Sequence, residues 1–399
     1  MAPDTCGSRR AFVAVTYAVV VMLAGSNLPT PLYPAYQRLF GLSPFMVTLV
    51  FATYAFAVMP CLFVAGPLSD AVGRRLVLLP ALGFGIVAAG VFALASNVIW
   101  LFAAQVVEGV AMGALQGAAV AALIETHPRG RRDRAALTGS TATVAGAALG
   151  PLLAGLLARF GPLPRRLPFL IEAVLLTVAL VVIWTTYPVR EGRRGRWRAR
   201  RPSVPPAIRR LFALSGAAAF FGWAVTALFL SLIPAYVVAI LHTSDVALIG
   251  ALAALVLACS AVVQLALPRV DHLTAQATGL GLTGLAAGLL VVAAHVHTLA
   301  VFVSAAVLAG LGLGMAFRGS LAAVSAEVPE DKKGDILSAL YLLVYLGTAV
   351  PVIGVGLEAL ASGLRTAVET FGYGIGASCV VLCTLIASEV RRRRKADLG

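Results

Sequence analysis

The chain has 399 residues, 60% of them hydrophobic and 12% charged, with a formal net charge of +14. An average soluble domain carries about 45–50% and about 25%, and a single soluble core stops growing near about 250–300 residues, so this apolar excess has no interior to hide in. Disorder, a collagen-like repeat and a disulfide scaffold are excluded too, because Cys6, Cys61, Cys259, Cys379 and Cys383 are scattered, form no CxxC and sit in a chain this apolar. A polytopic membrane protein remains.

Twelve apolar runs reach the about 20 residues that cross roughly 30 Å of hydrocarbon. In chain order they cover about 11–30, 45–65, 76–95, 98–123, 136–158, 167–186, 211–240, 246–267, 274–294, 298–322, 336–361 and 366–390. The first follows Arg9 and Arg10 and is too long for the apolar core of a secretory signal, so it reads as the first span. The runs are rich in Gly and Ala and show no alternating outward face, which points to helices rather than a barrel. The expected fold class is an all-α polytopic membrane protein with twelve transmembrane helices.

Lys and Arg set the expected orientation. With twelve spans the two termini share a side, and that side takes 25 of the 31 basic residues, among them Arg190 to Arg210 and Arg391 to Lys395. The other side keeps Arg38, Arg159, Arg165, Arg166 and Arg365. The basic side is expected to be cytoplasmic, in a multi-pass protein of the cell membrane. The stretch EGRRGRWRARR at 191–201 resembles a nucleic-acid patch in isolation. Between two spans it reads instead as an orientation signal resting near anionic lipid headgroups, and no nucleic-acid partner is expected.

A repeat recurs at an offset of about 200. Leu32-Tyr33-Pro34-Ala35-Tyr36 returns as Leu232-Ile233-Pro234-Ala235-Tyr236, and Pro67 and Asp70 return as Pro268 and Asp271. Gly109 and Gly113 return as Gly310 and Gly314, Pro128 as Pro329, Pro151 as Pro351, and Gly155 as Gly356. The chain is therefore expected to divide into an N-terminal six-helix half at 1–187, a basic linker at 188–210, a C-terminal six-helix half at 211–390 and a basic tail at 391–399. Two pseudo-symmetric halves are the layout of transporters whose site lies between repeats.

Gly66-Pro67-Leu68-Ser69-Asp70-Ala71-Val72-Gly73-Arg74-Arg75, between the second and third runs, resembles the GxLxDxxGRR/K signature of the major facilitator superfamily. Gly146 to Gly155, with Gly150 and Pro151, is similar to the GxxxGPxxGG motif of that superfamily's drug:proton antiporters, with Ala154 in place of one Gly. The resemblance implies the major facilitator fold, export of a small molecule, and a 66–75 loop that braces the two halves. Read from the residues alone, Gly66 and Gly73 permit a tight turn, Asp70 is suited to capping a helix, and Arg74 and Arg75 offer charge pairs, with Glu125 as a partner. Gly146 and Gly150 allow close helix approach, and Pro151 bends its helix.

The fourth run carries an embedded acid. Glu108 lies about 15 Å from the start of the run, and Gln105, Glu108, Met112 and Gln116 share one stripe beside a ridge of Gly109, Gly113 and Gly117. The simplest arrangement packs the ridge on a neighbour and turns the stripe to a cavity. A charged carboxylate there costs several kcal/mol, so it is expected to be protonated or paired, and functional. The superfamily commonly reads LxxxRxxQG here; this chain has Gln105 for the Arg and Glu108 for the Gln. Either Glu108 carries proton coupling or coupling sits elsewhere. Glu172, near the outer third of the sixth run, Arg318 near the end of the tenth, and Asn27 before Pro29 and Pro31 are further candidates for the proton or substrate pathway.

Other motifs carry no chemistry. Gly279 to Gly284 matches GxGxxG inside an apolar run without a preceding strand, His295 and His297 are a pair without a third ligand, and no GxxxxGK[ST] occurs. No metal or other cofactor is expected. A lipid-modifying enzyme would need clustered carboxylates or histidines near one interface, which the chain lacks. The reading is proton-coupled efflux of a drug-like or natural-product small molecule by a monomer, with an uptake carrier for a sugar or other metabolite as the alternative. A reporter fused after Arg200 should read cytoplasmic and one near Gly161 external; both on one side would overturn the twelve-span topology.

Overall fold

The computed structural model describes residues 5–188, 204–241, 243–266, 270–328 and 333–396. Among them the chain is helical throughout its regular elements: α1 (Thr5–Gly25), α2 (Tyr33–Phe40), α3 (Pro44–Val72), α4 (Arg75–Ala93), α5 (Val98–Thr126), α6 (Arg132–Phe160), α7 (Leu167–Thr186), α8 (Arg209–Ser231), α9 (Ile233–Leu241), α10 (Val246–Ala266), α11 (His272–Val296), α12 (Leu299–Glu327), α13 (Lys333–Ser362) and α14 (Leu364–Ala396). Among the described residues twelve segments are long and apolar enough to cross a membrane. Most of the basic stretch (189–203), Pro268, Pro329 and the last residues of the tail (397–399) lie outside the described residues.

Hydropathy misses where two of these segments break. The first run continues past α1 as tight turns, with Ser26 N donating to Met22 O and Asn27 N to Ala24 O, before a short 3-10 turn at Thr30–Leu32. Pro29 and Pro31 cannot donate to a helical ladder, and so end it. The seventh run, expected whole over 211–240, divides at Leu232, two residues before Pro234. Proline inside a helix is tolerated elsewhere, at Pro60, Pro67, Pro151 and Pro351. Helix starts follow ordinary capping chemistry. Asn97 Oδ1 accepts from Ile99 N at 2.9 Å, Asp245 Oδ1 from Ala247 N at 3.0 Å, and Asp271 Oδ2 from Thr274 N at 2.9 Å. The Thr274 backbone bond is the main reason the Asp271 carboxyl sits below the usual carboxylate range.

The chain forms two compact units that cut across the sequence order. The first holds 1–32, 53–200 and 245–254; the second holds 33–52, 201–244 and 255–399. Each therefore takes in the first turns of a helix, α10 or α3, whose remainder belongs to the other.

Within both units glycine sets how closely helices approach. In the first, α5 lays Gly109, Gly113 and Gly117 on α3: a Cβ at Gly113 would sit 2.5 Å from Cys61 Cβ, and one at Gly109 2.6 Å from Ala57 Cβ. In the second, α12 lays Gly310 and Gly314 on α10, where a Cβ at Gly310 would sit 2.7 Å from Cys259 Cβ. The repeated glycines thus do the same work in both copies. Tyr36 and Tyr236, the other repeat mates, are both 1% exposed; Tyr236 meets Phe302 edge-on at 5.5 Å. Phe92 of α4 stacks on Phe169 of α7 at 4.8 Å.

Filling such a seam forces backbone apart, and overpacking of this kind costs about 1–3 kcal/mol. Gly113→Val should lower the melting temperature of the purified protein by several degrees or prevent its isolation. Gly83→Ala, where nothing lies within 4 Å of an added Cβ, should melt at or above the parent temperature. Equal melting of the two variants would show that the α3–α5 seam is not tight.

Candidate functional site

The junction of α3 and α4 gathers charge. Gly66, Pro67 and Asp70 lie inside α3 rather than in a loop, which corrects the turn expected at Gly66 and the cap expected from Asp70. The Gly66 backbone packs against Gly117 of α5, where an added Cβ would sit 2.9 Å from Gly66 N, while a Cβ on Gly66 itself would meet only Gly117 O at 3.8 Å. The turn itself falls to Gly73, at φ +100°, a left-handed conformation that glycine adopts without steric cost. It swings Arg74 back, so that its guanidinium pairs with Asp70 one helical turn earlier and with Glu125 Oε1 of α5 at 3.1 Å. The guanidinium also donates to Ser69 Oγ at 2.6 Å. Arg75 turns the other way, donating to Trp184 O of α7 with its guanidinium 5.2 Å over the indole. Tyr187 OH reaches Glu125 Oε2 at 3.4 Å. One arginine therefore ties α3 to α5 while its neighbour ties α4 to α7.

Along α5 the polar stripe is enclosed. Gln105 and Glu108 are each 3% exposed and Met112 is fully buried, whereas Gln116 is half-buried. The expected cavity-facing stripe thus runs, at Gln105 and Glu108, into the interior of the first unit. Glu108 Oε1 is buried without a hydrogen-bond partner. Glu172 of α7, the candidate near the outer third of its run, is 5% exposed. Its carboxyl rests on the bare Cα of Gly25 at the end of α1, in space a Cβ would occupy. Asn27, two residues on, is half-buried and donates to Leu23 O and Ser26 Oγ, both at 3.1 Å. It braces the turn that ends α1.

The 146–155 motif serves two seams. Gly146 and Gly150 pack on the backbone of α1 at Val20 and Ala24, while Gly155 and the Pro151 carbonyl meet α10 at Val246 and Gly250. Asp245, at the head of α10, pairs with Arg159 in the last turn of α6. In the second unit Gly356, the repeat mate of Gly155, packs on Phe45 and Thr48 at the head of α3. Arg318 is half-buried on α12, beside Phe317, which lies edge-on to Trp223 at 5.9 Å and to Tyr341 at 6.0 Å. Sequence reasoning passed over Gly25, Ser69, Trp184, Tyr187 and Asp245. Of these only Asp245, an acid directly before an apolar run, left a readable signal. Among the described residues no three His, Cys, Asp or Glu side chains group as metal ligands would.

A twelve-span helical chain with an arginine-clamped α3–α4 junction and enclosed carboxyls is built as a membrane carrier, and the comparisons make the class definite. The Major Facilitator Superfamily model matches residues 15–351. The chain belongs to that superfamily; it is a transporter, not an enzyme. It is 28% identical over 174 residues to the multidrug efflux protein YfmO of Bacillus subtilis (strain 168), covering 44% of this chain and 43% of that one. It is 33% identical over 199 residues to the multidrug resistance protein MdtG of Yersinia enterocolitica, covering 48% and 46%. The matches span under half the length of these curated relatives. Among solved structures, a bacterial homologue of the human lysosomal transporter Spinster superposes with TM-score 0.72 at 19% identity, covering 94% of this chain and 96% of that one. A POT family transporter in complex with 5-aminolevulinic acid gives TM-score 0.77 at 12% identity, covering 96% of each. At such identities these two likenesses describe the fold.

The α3–α4 junction yields a graded expectation. The Arg74 side chain is 14% exposed and holds three partners, whereas Asp70 is 63% exposed. Exposed ion pairs contribute about 0–1 kcal/mol, while a half-enclosed charged hydrogen bond contributes about 1.5–3 kcal/mol. Arg74→Ala should therefore lower the melting temperature more than Asp70→Asn does. The reverse order would remove Arg74 as the hub.

Proposed function

We infer that this transporter exports a drug-like or natural-product small molecule in exchange for protons, by alternating access between two six-helix halves at 1–187 and 211–390. The names of the curated relatives support export. On the charge pattern, the protein sits in the cell membrane with both termini cytoplasmic and its basic loops against anionic headgroups. The α3–α4 junction then acts as a cytoplasmic gate through Gly73, Arg74, Arg75, Asp70 and Glu125, and the chain works as a monomer.

The observation that carries proton coupling is Glu108. A carboxyl 3% exposed inside a helical bundle, with one oxygen lacking a partner, is costly to keep charged. Such a group is retained where gaining and losing a proton does work. Alternation exposes it to each side in turn, so a proton loaded from one side is released to the other while substrate moves in the opposite direction.

The test is an accumulation assay in cells and vesicles with a proton gradient imposed or collapsed, using a fluorescent dye panel as substrate. Glu108→Gln preserves shape and hydrogen bonding but cannot titrate. It should reduce gradient-driven export at least tenfold while leaving dye binding within about twofold. Export by this variant with the parental pH dependence would overturn Glu108 as the coupling group.

A further inference from the structure

We propose that Cys379 and Cys383 of α14 form a two-thiol site for a soft divalent ion of the mercury(II) kind, seated in the seam between α14 and α11. The site is independent of the direction and the coupling of transport.

The two cysteines stand four positions apart, so they share one face of α14 with Cβ atoms about 5–6 Å apart. Contacts with α11 fix which face that is. The Cys383 thiol donates to Ala277 O at 3.4 Å. Cys379 lies under Gly284, where an added Cβ would sit 3.1 Å from Cys379 Cβ and 3.9 Å from its Sγ. Ala277 and Gly284 are seven positions apart, on one face of α11. Both thiols are free, and both enter the same seam.

Glycine keeps room beside them. Gly376 precedes Cys379 by three positions on the same face, and nothing lies within 4 Å of a Cβ added to it. Cys379 is 2% exposed and Cys383 half-buried, so the seam is closed at the first thiol and open at the second. From Gly374 to Ser388 α14 carries no charged residue, and neither does α11 from Leu273 to Ala294. Cys61 under Gly113 and Cys259 under Gly310 are single thiols in tight seams of other helices.

Two ligands select the ion. No third His, Cys, Asp or Glu among the described residues joins them, which leaves zinc two short of its tetrahedron. Mercury(II) is soft, takes thiolates in preference to oxygen, and binds two of them in a line. Metal–thiolate bonds of about 2.3 Å set the sulfurs about 4.6 Å apart, within reach of two side chains one turn apart. Binding breaks two S–H bonds, forms two S–Hg bonds and releases two protons to water, with no change in oxidation state. The S–Hg–S unit is neutral, so an apolar seam takes it up without enclosing a charge. The ion enters at Cys383, whose bond to Ala277 O it replaces.

The experiment uses the full chain with Cys6→Ala, Cys61→Ala and Cys259→Ala, which keeps only Cys379 and Cys383. After mercury(II) chloride and gel filtration in excess 2-mercaptoethanol, a monothiol, it should retain one mercury per chain. Adding Cys379→Ala or Cys383→Ala should weaken retention at least about a hundredfold, because a lone thiol has no tethered second ligand. Zinc chloride in the same protocol should leave nothing bound. In the otherwise unaltered parent, Cys379→Ala/Cys383→Ala should abolish retention and Cys61→Ala/Cys259→Ala should preserve it. These two double variants decide alone if the three-alanine background does not fold. Retention that survives loss of Cys379 or Cys383 would overturn the site. So would its absence from a chain that keeps both cysteines and melts at the parental temperature.

Discussion

Helices in hydrocarbon satisfy their own backbones, so what fixes their arrangement is how near their axes can come. In this chain glycine sets that distance. Gly109, Gly113 and Gly117 bring α5 onto α3, Gly310 and Gly314 bring α12 onto α10, and Gly146 and Gly150 bring α6 onto α1. With side chains removed from these faces, the face beside each decides what fills the interior. On α5 that face carries Gln105 and Glu108, so the seam that binds α5 to α3 also aims the carboxyl inward.

The charges are sorted by that logic. Arg74, Asp70 and Glu125 meet at helix ends, where water lowers the cost of leaving any of them unpaired. Glu108 and Glu172 lie where it does not. A chain this apolar keeps few acids, and burying these two is a cost that stability alone does not explain.

The sequence made the spans legible because composition changes sharply at their ends, and the glycine ridge of α5 legible because its spacing is helical. The Arg74–Glu125 contact could be anticipated from opposite charges at the ends of neighbouring spans. The breaks after Gly25 and at Leu232 could not, since apolar residues run straight through both and only proline marks them. The extent of α3 was underestimated for the opposite reason: Gly66 and Pro67 look like turn residues, yet helical backbone continues to Val72. Glu172 was legible as an acid in a span but not as a carboxyl seated on Gly25, because nothing local encodes a meeting of α7 with the end of α1. The repeat mates Asp70 and Asp271 show the same limit: one ends a helix in an ion pair, the other caps a helix start.

The heads of α3 and α10 belong to a different compact unit from the rest of those helices. Gly155 and Arg159 hold one head, and Gly356 holds the other. A chain cut within 189–203 would therefore yield two fragments, neither able to complete its own packing. The α10 head would leave with one piece while its seat on α6 stayed with the other, and the α3 head would be parted from α13 likewise.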